Sequence, residues 1–409
     1  MTIPLAERSD DLRDSDTVSQ AGITIAASPR DLRLDFFRGL ALFCIFLDHI
    51  PDNWMNQFTI QAFGFSDAAE VFILISGYTA GMVYGNAFER KGMLRATVQV
   101  YHRVWQLYIA HVFLFMIFMA TVAHMVGSLE NSIYAEEFGV AGFLEEPDVA
   151  VVMALILRFQ PTFMDILPLY IVLLAGLPFM LAGFRRWPIV VLCASFGLWL
   201  AVQFDDRIAL SAYPGPDQQW FFNPFAWQFL FYFGAWLGWR STIEGGLGWL
   251  RTPGLFPVAM MIAAVGLLIQ IDWRIHWYYD PFPELFAKTL WPLDGKTDLA
   301  VLRLVNVLAL AAVTARLIHP QARFLSGMAI RPFILCGRNS LHIFCLGILL
   351  SVVGHLVLNE YFGGRLMQSL IATAGVAIMI GVAALMEWFA KESGSTRSSV
   401  QKTAMGGRG

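Results

Sequence analysis

Long apolar segments recur along almost the whole chain and are separated by short polar stretches. The ten longest lie near residues 34–51, 67–85, 104–126, 165–183, 187–203, 224–240, 253–271, 298–318, 333–357 and 366–390. About 20 apolar residues in a helix match the hydrocarbon thickness of a bilayer, so each segment can cross one once tilt is allowed for. The pattern predicts an all-α integral membrane protein, a bundle of about ten transmembrane helices.

Basic residues are distributed unevenly among the connecting segments. Arg and Lys gather before the first apolar segment, in every second connection after it, and behind the last. Residues 52–66 contain neither, and residues 127–164 carry a series of acidic residues against Arg158 alone. Because Lys and Arg are retained on the cytoplasmic side of membranes, this alternation predicts that both termini are cytoplasmic.

Composition agrees with a membrane-embedded body. Hydrophobic residues make up 57% of the chain and charged residues 14%, with a mean hydropathy of +0.58, whereas soluble domains carry about 25% charged residues. The net charge of -3 argues against a nucleic-acid partner, which requires a basic surface.

Polar ends flank this body. Residues 1–30 are polar, mixed in charge and without the apolar core of a signal peptide, which predicts a disordered cytoplasmic leader. Residues 31–390 form the transmembrane domain. Residues 391–409 are rich in Ser, Gly, Lys and Arg, which predicts a disordered cytoplasmic tail.

Two ionisable residues within the first apolar segment are the first candidates for chemistry, because charge inside a span is costly. Arg38 and His49 are eleven residues apart, which leaves them about 20° from alignment on one helix face and roughly 16 Å apart along the axis. A guanidinium can hold a phosphate or carboxylate, and an imidazole can act as general base. The alternative is that Arg38 anchors the helix at the headgroups and His49 reaches outward.

Carboxylates adjacent to His49 are candidates to orient it. Asp48 precedes it, and Asp67 with Glu70 lies on one face of the first turn of the second helix, at the same predicted depth. Any of the three could hold the imidazole. Acidic residues also suit a helix N-terminus, which is the alternative for Asp67 and Glu70.

A second group of polar residues lies towards the cytoplasmic ends of the helices. Ser76, within Ser76-Gly77-Tyr78, forms a small notch suited to close helix approach or to passage of an extended ligand. With Arg38, the remaining members could form a basic pocket for the phosphates of a donor; they are Arg103, His111, Arg338 and Asn339. Alternatively, the arginines are cytoplasmic anchors and His111 is hydrogen-bonded between helices. No metal-ligand cluster is evident.

Residues at the opposite, outer ends are candidates to bind a sugar acceptor. Asp165 begins the fourth helix, and Trp227 with Gln228 lies in the first turn of the sixth. Carboxylate, amide and aromatic groups suit hydroxyl-rich ligands. For Trp227 the alternative is a place in the interfacial aromatic belt.

Five segments in order carry a family resemblance. They read RLDFFRGLALFCIFLDHIP, SDAAEVFILISGY, RVWQLYIAH, FFNPFAWQFLFYFG and GRNSL. Together they resemble the OpgC family of osmoregulated periplasmic glucan succinyltransferases, within the transmembrane acyltransferase, or acyltransferase-3, superfamily. The resemblance extends over most of residues 30–360.

This resemblance implies a multi-pass enzyme of the bacterial inner membrane that transfers succinyl groups to hydroxyls of periplasmic glucans. Cytoplasmic acyl-CoA, succinyl-CoA in particular, is the implied co-substrate, and no permanently bound cofactor is expected. His49 is the implied catalytic histidine, and Arg38 assists the donor or the reaction. Two alternatives remain: an acyltransferase acting on another envelope polysaccharide, or a transporter or flippase without catalysis.

Overall fold

The computed structural model describes residues 31–51, 53–129, 133–215, 218–278, 293–361 and 363–406. The predicted leader, residues 1–30, lies outside the described residues. The α-helices are α1 Leu32–Asp48, α2 Ala68–Lys91, α3 Met93–Leu129, α4 Ile133–Glu137, α5 Ala141–Glu145, α6 Pro147–Leu155, α7 Ile166–Arg186, α8 Pro188–Phe204, α9 Pro224–Glu244, α10 Leu255–Tyr278, α11 Val301–Leu317, α12 Arg331–Arg338, α13 Ser340–Glu360 and α14 Arg365–Gly406.

Irregular structure in the described part of the chain is short. Single 3₁₀ turns occupy Trp54–Phe58, Ile60–Ala62, Gly248–Arg251 and Arg323–Ser326. The described residues contain one isolated antiparallel bridge, between Ser211 and Gln219, and no strand beyond it. The chain is therefore all-helical, as predicted.

Among the described residues, six helices are long and apolar enough to cross a membrane, which confirms a multi-pass membrane protein. They are Ala68–Lys91, Met93–Gly127, Ile166–Arg186, Leu255–Ile275, Ser340–Glu360 and Arg365–Glu392. Pro188–Phe204 is apolar but shorter. The figure of ten spans and the cytoplasmic termini stay predictions.

Two helices depart from the segments that the sequence predicts. The ninth segment, near 333–357, is divided at Asn339 into α12 and α13, because this residue leaves helical geometry with its side chain bonded to Leu335 O at 3.1 Å. Helix α14 runs on to Gly406, through most of the segment expected to be a disordered tail. The disorder of residues 391–409 and the domain boundary at 390 stay predictions.

Helices α2 and α9 make the most intimate contact of the bundle. A side chain added at Gly77 would collide with the backbone carbonyl of Phe231, and one added at Gly238 with that of Tyr78. Small residues allow helix backbones to approach in this way within membranes. Gly77 therefore allows the close helix approach predicted for the Ser76-Gly77-Tyr78 notch, while the side chain of Ser76 points away from this contact.

The remaining contacts arrange the bundle around α1. Helix α1 packs against α2, α12 and α13, while α3 packs against α7, and α8 against α9. The helix ends near His49 are called the His49 end of the bundle, and the opposite ends, near the first turns of α1, the Arg38 end. The first residues of α2, α7, α9 and α11 all lie at the His49 end, since successive long helices alternate in direction.

Candidate functional site

A cavity of about 140 Å³ lies beside Arg38, between α1, α2, α3, α7 and α13. Arg38 Nη2 donates a hydrogen bond of 2.8 Å to Thr79 Oγ1. Thr79 Oγ1 in turn donates to the carbonyl of Ile75 at 2.8 Å. The polar side chains in the wall are Arg38, Ser76, Thr79, Tyr84, Arg103, Tyr170 and Ser340. Two guanidinium groups thus border one space, a suitable setting for phosphate or for a polarised carbonyl.

The cavity collects half of the residues predicted to bind the donor. Arg38, Ser76 and Arg103 line it, and Arg103 also donates to Gln106 Oε1 at 3.1 Å. Thr79, Tyr84 and Tyr170 complete a polar wall that the donor prediction had omitted. Their i, i+3 and i, i+4 spacing from other wall residues is present in the sequence, but which face of each helix borders the cavity depends on how the helices pack.

Three other residues predicted to bind the donor do not line this cavity, and their role stays a prediction. Arg338 forms ion pairs with Asp35 at 3.6 Å and Glu387 at 3.4 Å, so its charge joins α1, α12 and α14. Asn339 caps the break between α12 and α13. His111 borders a separate cavity of about 30 Å³, and neither ring nitrogen has a hydrogen-bond partner in the described structure.

His49 follows directly on the last residue of α1. Its backbone N–H bonds Ile45 O at 3.1 Å, so it continues the helical course and keeps its register with Arg38. The half-buried imidazole packs on the ring of Phe163, with centroids 4.4 Å apart and planes inclined by 35°. Its Nδ1 is buried and has no hydrogen-bond partner among the described residues.

The carboxylates expected to orient His49 have other partners. Asp67 is the N-cap of α2: its carboxylate accepts from Ala69 N at 2.7 Å, while Glu70 accepts from Asp67 N at 2.8 Å. This is a capping box, the alternative raised for this pair. Asp48 accepts from Gln61 Nε2 at 2.9 Å. In the described structure no hydrogen bond or ion pair joins His49 to any of these three.

Asp67 and Glu70 instead belong to an ion network at the His49 end. Arg303 Nη1 lies 2.7 Å from Glu70 Oε1 and 3.6 Å from Asp67 Oδ2, and Arg303 Nε lies 3.3 Å from Asp294. Lys296 Nζ lies 2.7 Å from Asp67 Oδ2. The Glu70 carboxylate is fully buried, so the pairing with Arg303 is what permits its charge there.

The loop before α11 carries two perturbed members of this network. Burial raises the pKa of Asp294 to about 6, with Arg303 acting in the opposite direction. Burial alone would lower the pKa of Lys296, but the charges of Asp67 and Glu70 outweigh it, and the net direction is upward. Lys296 is therefore a fixed positive charge near His49.

Lys296 and Arg303 were missed in the sequence analysis, although two features mark them. Lys296 lies in a connection predicted to be outside, where the positive-inside rule disfavours Lys. Arg303 lies in the first turn of α11, where a positive charge opposes the helix dipole. Both departures indicate that negative partners lie nearby.

The three residues predicted to bind a sugar have different surroundings. Asp165 is half-buried at the N-terminus of α7, two residues beyond Phe163, and fits the prediction by position. Trp227 is completely buried and donates to the carbonyls of Lys296 and Thr297 at 3.2 and 3.1 Å. It is neither a belt residue nor an exposed platform, and it holds the Lys296 loop in place.

Gln228 is also held inside the bundle. It is buried, its Nε2 donates to Ser195 O at 2.7 Å, and Ser195 Oγ donates to its side-chain oxygen at 2.5 Å. These bonds join α8 to α9, and a role for Gln228 in sugar binding stays a prediction. Among the described residues, no three His, Cys, Asp or Glu side chains are placed to hold a metal ion.

The site thus has two parts on one side of α1. The cavity at Arg38 is lined by Ile166, Leu167 and Tyr170 of α7, and His49 contacts Phe163 just before that helix. A family model described as OpgC protein matches residues 30–391. No curated protein matches the chain. Since the matched range includes most of the 409 residues, this chain belongs to the OpgC family.

Proposed function

We propose that this protein is a membrane O-acyltransferase that moves a succinyl group from cytoplasmic acyl-CoA to hydroxyls of periplasmic glucans. Membership of the OpgC family implies a transferase that modifies glucans. The proposal adds three points to this: the donor is acyl-CoA, the transferred group is succinyl, and His49 is the base. In this scheme the Arg38 end faces the cytoplasm and the His49 end faces the periplasm.

The single observation that carries the proposal is the placement of Arg38 and His49. Both face one short stretch of chain, residues 163–170, with a cavity at the Arg38 end of it. A donor entering from the Arg38 end meets two guanidinium groups first and the imidazole last. This order suits a thioester that is bound on one side of a membrane and attacked from the other.

The size of the cavity indicates which part of the donor it takes. Pockets that enclose whole drug-sized ligands measure roughly 300–1,000 Å³, whereas this one measures about 140 Å³. It suits the narrow pantetheine arm of the donor, with the nucleotide of the CoA outside and the thioester beyond the cavity, towards His49. Arg38 and Arg103 then neutralise phosphate at the entrance.

Neutral His49 is the base in this scheme. It takes the proton from an acceptor hydroxyl while the hydroxyl oxygen attacks the thioester carbonyl, so that a C–O bond forms and the C–S bond breaks. The departing thiolate is then protonated by the imidazolium, which restores neutral His49. The apolar ring of Phe163 and the lack of a carboxylate partner favour the neutral imidazole between turnovers.

The test is transfer by purified protein in lipid nanodiscs with succinyl-CoA and glucan. Free CoA thiol is measured in solution, and the glucan mass is measured by mass spectrometry. His49→Ala should lower kcat about 10²- to 10⁴-fold, the usual contribution of a general base. His124→Ala is the matched control, since His124 is exposed on α3 and should leave kcat unchanged.

Each other outcome has a defined meaning. Normal transfer by His49→Ala contradicts the mechanism. If succinyl-CoA is consumed only when another envelope polysaccharide is supplied, that polysaccharide is the acceptor and the glucan is not. If succinyl-CoA is not consumed under any condition, the result contradicts the proposal of an acyltransferase and favours a transporter.

A further inference from the structure

The orientation of the His49 imidazole is not fixed by a hydrogen bond. Its Nδ1 is enclosed and has no partner among the described residues, although catalytic histidines are usually oriented by a carboxylate or carbonyl at this nitrogen. The contact that does restrain the ring is with Phe163, whose centroid lies 4.4 Å away at an inclination of 35°. Ring orientation at His49 therefore depends on an apolar surface.

Phe163 holds this position in a backbone conformation that L-residues rarely adopt. Its φ is 74°, in the left-handed region that a bulky side chain disfavours. Such conformations persist where surrounding structure over-determines them, and they cluster at functional sites. An ordinary surface loop would place glycine or asparagine at this position.

The residues on either side of Phe163 hold it in this conformation. Thr162 is bound to the preceding segment twice, through its N–H to Phe138 O at 3.0 Å and through its Oγ1 to Glu137 O at 3.1 Å. Met164 on the other side is completely buried, and its N–H bonds Pro161 O at 2.9 Å. Both neighbours are fixed, so the ring between them cannot move away freely.

A second ring supports Phe163 from behind. Phe138 is completely buried and meets Phe163 edge-on, with centroids 6.4 Å apart and planes at 75°. Phe138 also contacts the ring of His355, whose Nε2 lies 2.8 Å from Glu137 Oε1. The line of rings from His355 to His49 is thus continuous and is secured at its far end by a polar contact.

From this arrangement we infer that Phe163 is the positioning residue of His49, taking the place that an orienting carboxylate has in other histidine sites. The inference rests on the proposed function of His49. The phenyl ring restricts rotation of the imidazole about its Cβ–Cγ bond, and Nδ1 is enclosed within the protein. Nε2 is then the nitrogen that meets the acceptor hydroxyl. An apolar partner also adds no charge, so it does not favour the imidazolium over the neutral base.

The test compares Phe163→Leu, which keeps apolar volume but removes the ring plane, with Phe163→Tyr, which keeps both. An aromatic pair contributes an amount corresponding to roughly a two- to tenfold rate effect. Phe163→Leu should therefore lower kcat about tenfold with the KM for succinyl-CoA unchanged, and Phe163→Tyr should recover most of kcat. Phe143→Leu is the matched control, since Phe143 packs on Phe115 and Phe159 in the same region.

A second readout reports on the imidazole itself. The rate of His49 modification by diethyl pyrocarbonate, followed by peptide mass spectrometry, should rise several-fold in Phe163→Leu and stay constant in Phe143→Leu. If Phe163→Leu is too unstable to purify, Phe163→Gly removes the ring while relieving the left-handed backbone. It should show the same loss of kcat and the same faster modification.

Three results separate failure of this inference from failure of the proposed function. Normal kcat and unchanged His49 modification in Phe163→Leu, with His49→Ala inactive, overturn the positioning role alone. A higher kcat in Phe163→Leu also overturns it, since Phe163 would then obstruct His49. Full activity in His49→Ala overturns the proposed function itself.

Discussion

The two ends of the candidate site are built on different principles. At the His49 end, buried charges from α2, the loop before α11 and α11 itself are paired with one another, and the Phe163 loop is braced in a strained conformation. At the Arg38 end, helices enclose a cavity of about 140 Å³ bordered by two guanidinium groups. The difference teaches that, under the proposed function, the end assigned to proton transfer is held by contacts within the protein, whereas the end assigned to the donor is a cavity between helices.

The largest predicted effect is a loss of stability when the ion network at the His49 end is broken. Arg303→Met leaves the fully buried Glu70 without its close partner, and breaking a buried pair in this way costs about 3–5 kcal/mol. The control is Arg240→Met, because Arg240 and Glu244 form an exposed i,i+4 pair worth about 0.5 kcal/mol or less. Thermal unfolding in detergent measures both, and equal losses would contradict a special role for the network.

At the Arg38 end the main effect should be on donor use, with little effect on stability. Arg38→Ala should lower kcat/KM for succinyl-CoA about 10- to 100-fold, the range for a hydrogen bond to a charged group. Arg338→Gln is the informative control, because Arg338 is paired with Asp35 and Glu387 away from the cavity. A comparable rise in KM for Arg338→Gln would show that the donor site is wider than the cavity.

A smaller effect is expected from the residue that holds Arg38. Thr79→Val keeps shape but removes the acceptor of the Arg38 Nη2 hydrogen bond. A net hydrogen bond contributes about 0.5–1.5 kcal/mol, so KM for succinyl-CoA should rise two- to tenfold. Steady-state kinetics check this, and an unchanged KM would show that the ligand, not Thr79, orients Arg38.

The smallest effect concerns the pH dependence of stability. Burial raises the pKa of Asp294 from 3.8 to about 6, so the folded protein binds this proton more tightly than the unfolded chain does. The resulting stabilisation is complete below the ordinary pKa and is lost as pH rises towards 6. The Tm of the wild-type protein should therefore fall as pH rises towards 6, and Asp294→Asn should remove the part of this fall that Asp294 causes. Parallel curves of Tm against pH for the two proteins would contradict this prediction.

Sequence predicted the helices well because their causes are local. Each apolar run lies within one short stretch of chain, and the segment predicted near 224–240 coincides with most of α9. The Arg38–His49 register is similarly local, since both residues belong to one helix. The break at Asn339 was missed although residues 337–340 read Gly-Arg-Asn-Ser, because so short a polar stretch also fits the polar end of a single helix.

The ion network could not be found in the same way. Arg303 and Glu70 are 233 residues apart in the chain, so their contact depends on how α2 and α11 pack. Trp227 was misjudged for a related reason: an aromatic residue at a predicted helix end has the same sequence pattern whether it faces lipid or, as here, a loop carbonyl. Phe163 carried no sequence feature, because its importance lies in its φ angle.

Helix α2 sets the distance between the two parts of the candidate site. It places Ser76 in the cavity wall and Asp67, its N-cap, in the ion network, nine residues and roughly 14 Å apart along its axis. Both residues move with one helix, so helix geometry fixes this interval, and the backbone contact at Gly77 and Gly238 holds α2 against α9. Under the proposed function the donor has to span the interval, so the proposal calls for a long, slender, freely rotating arm and not for a short or branched donor.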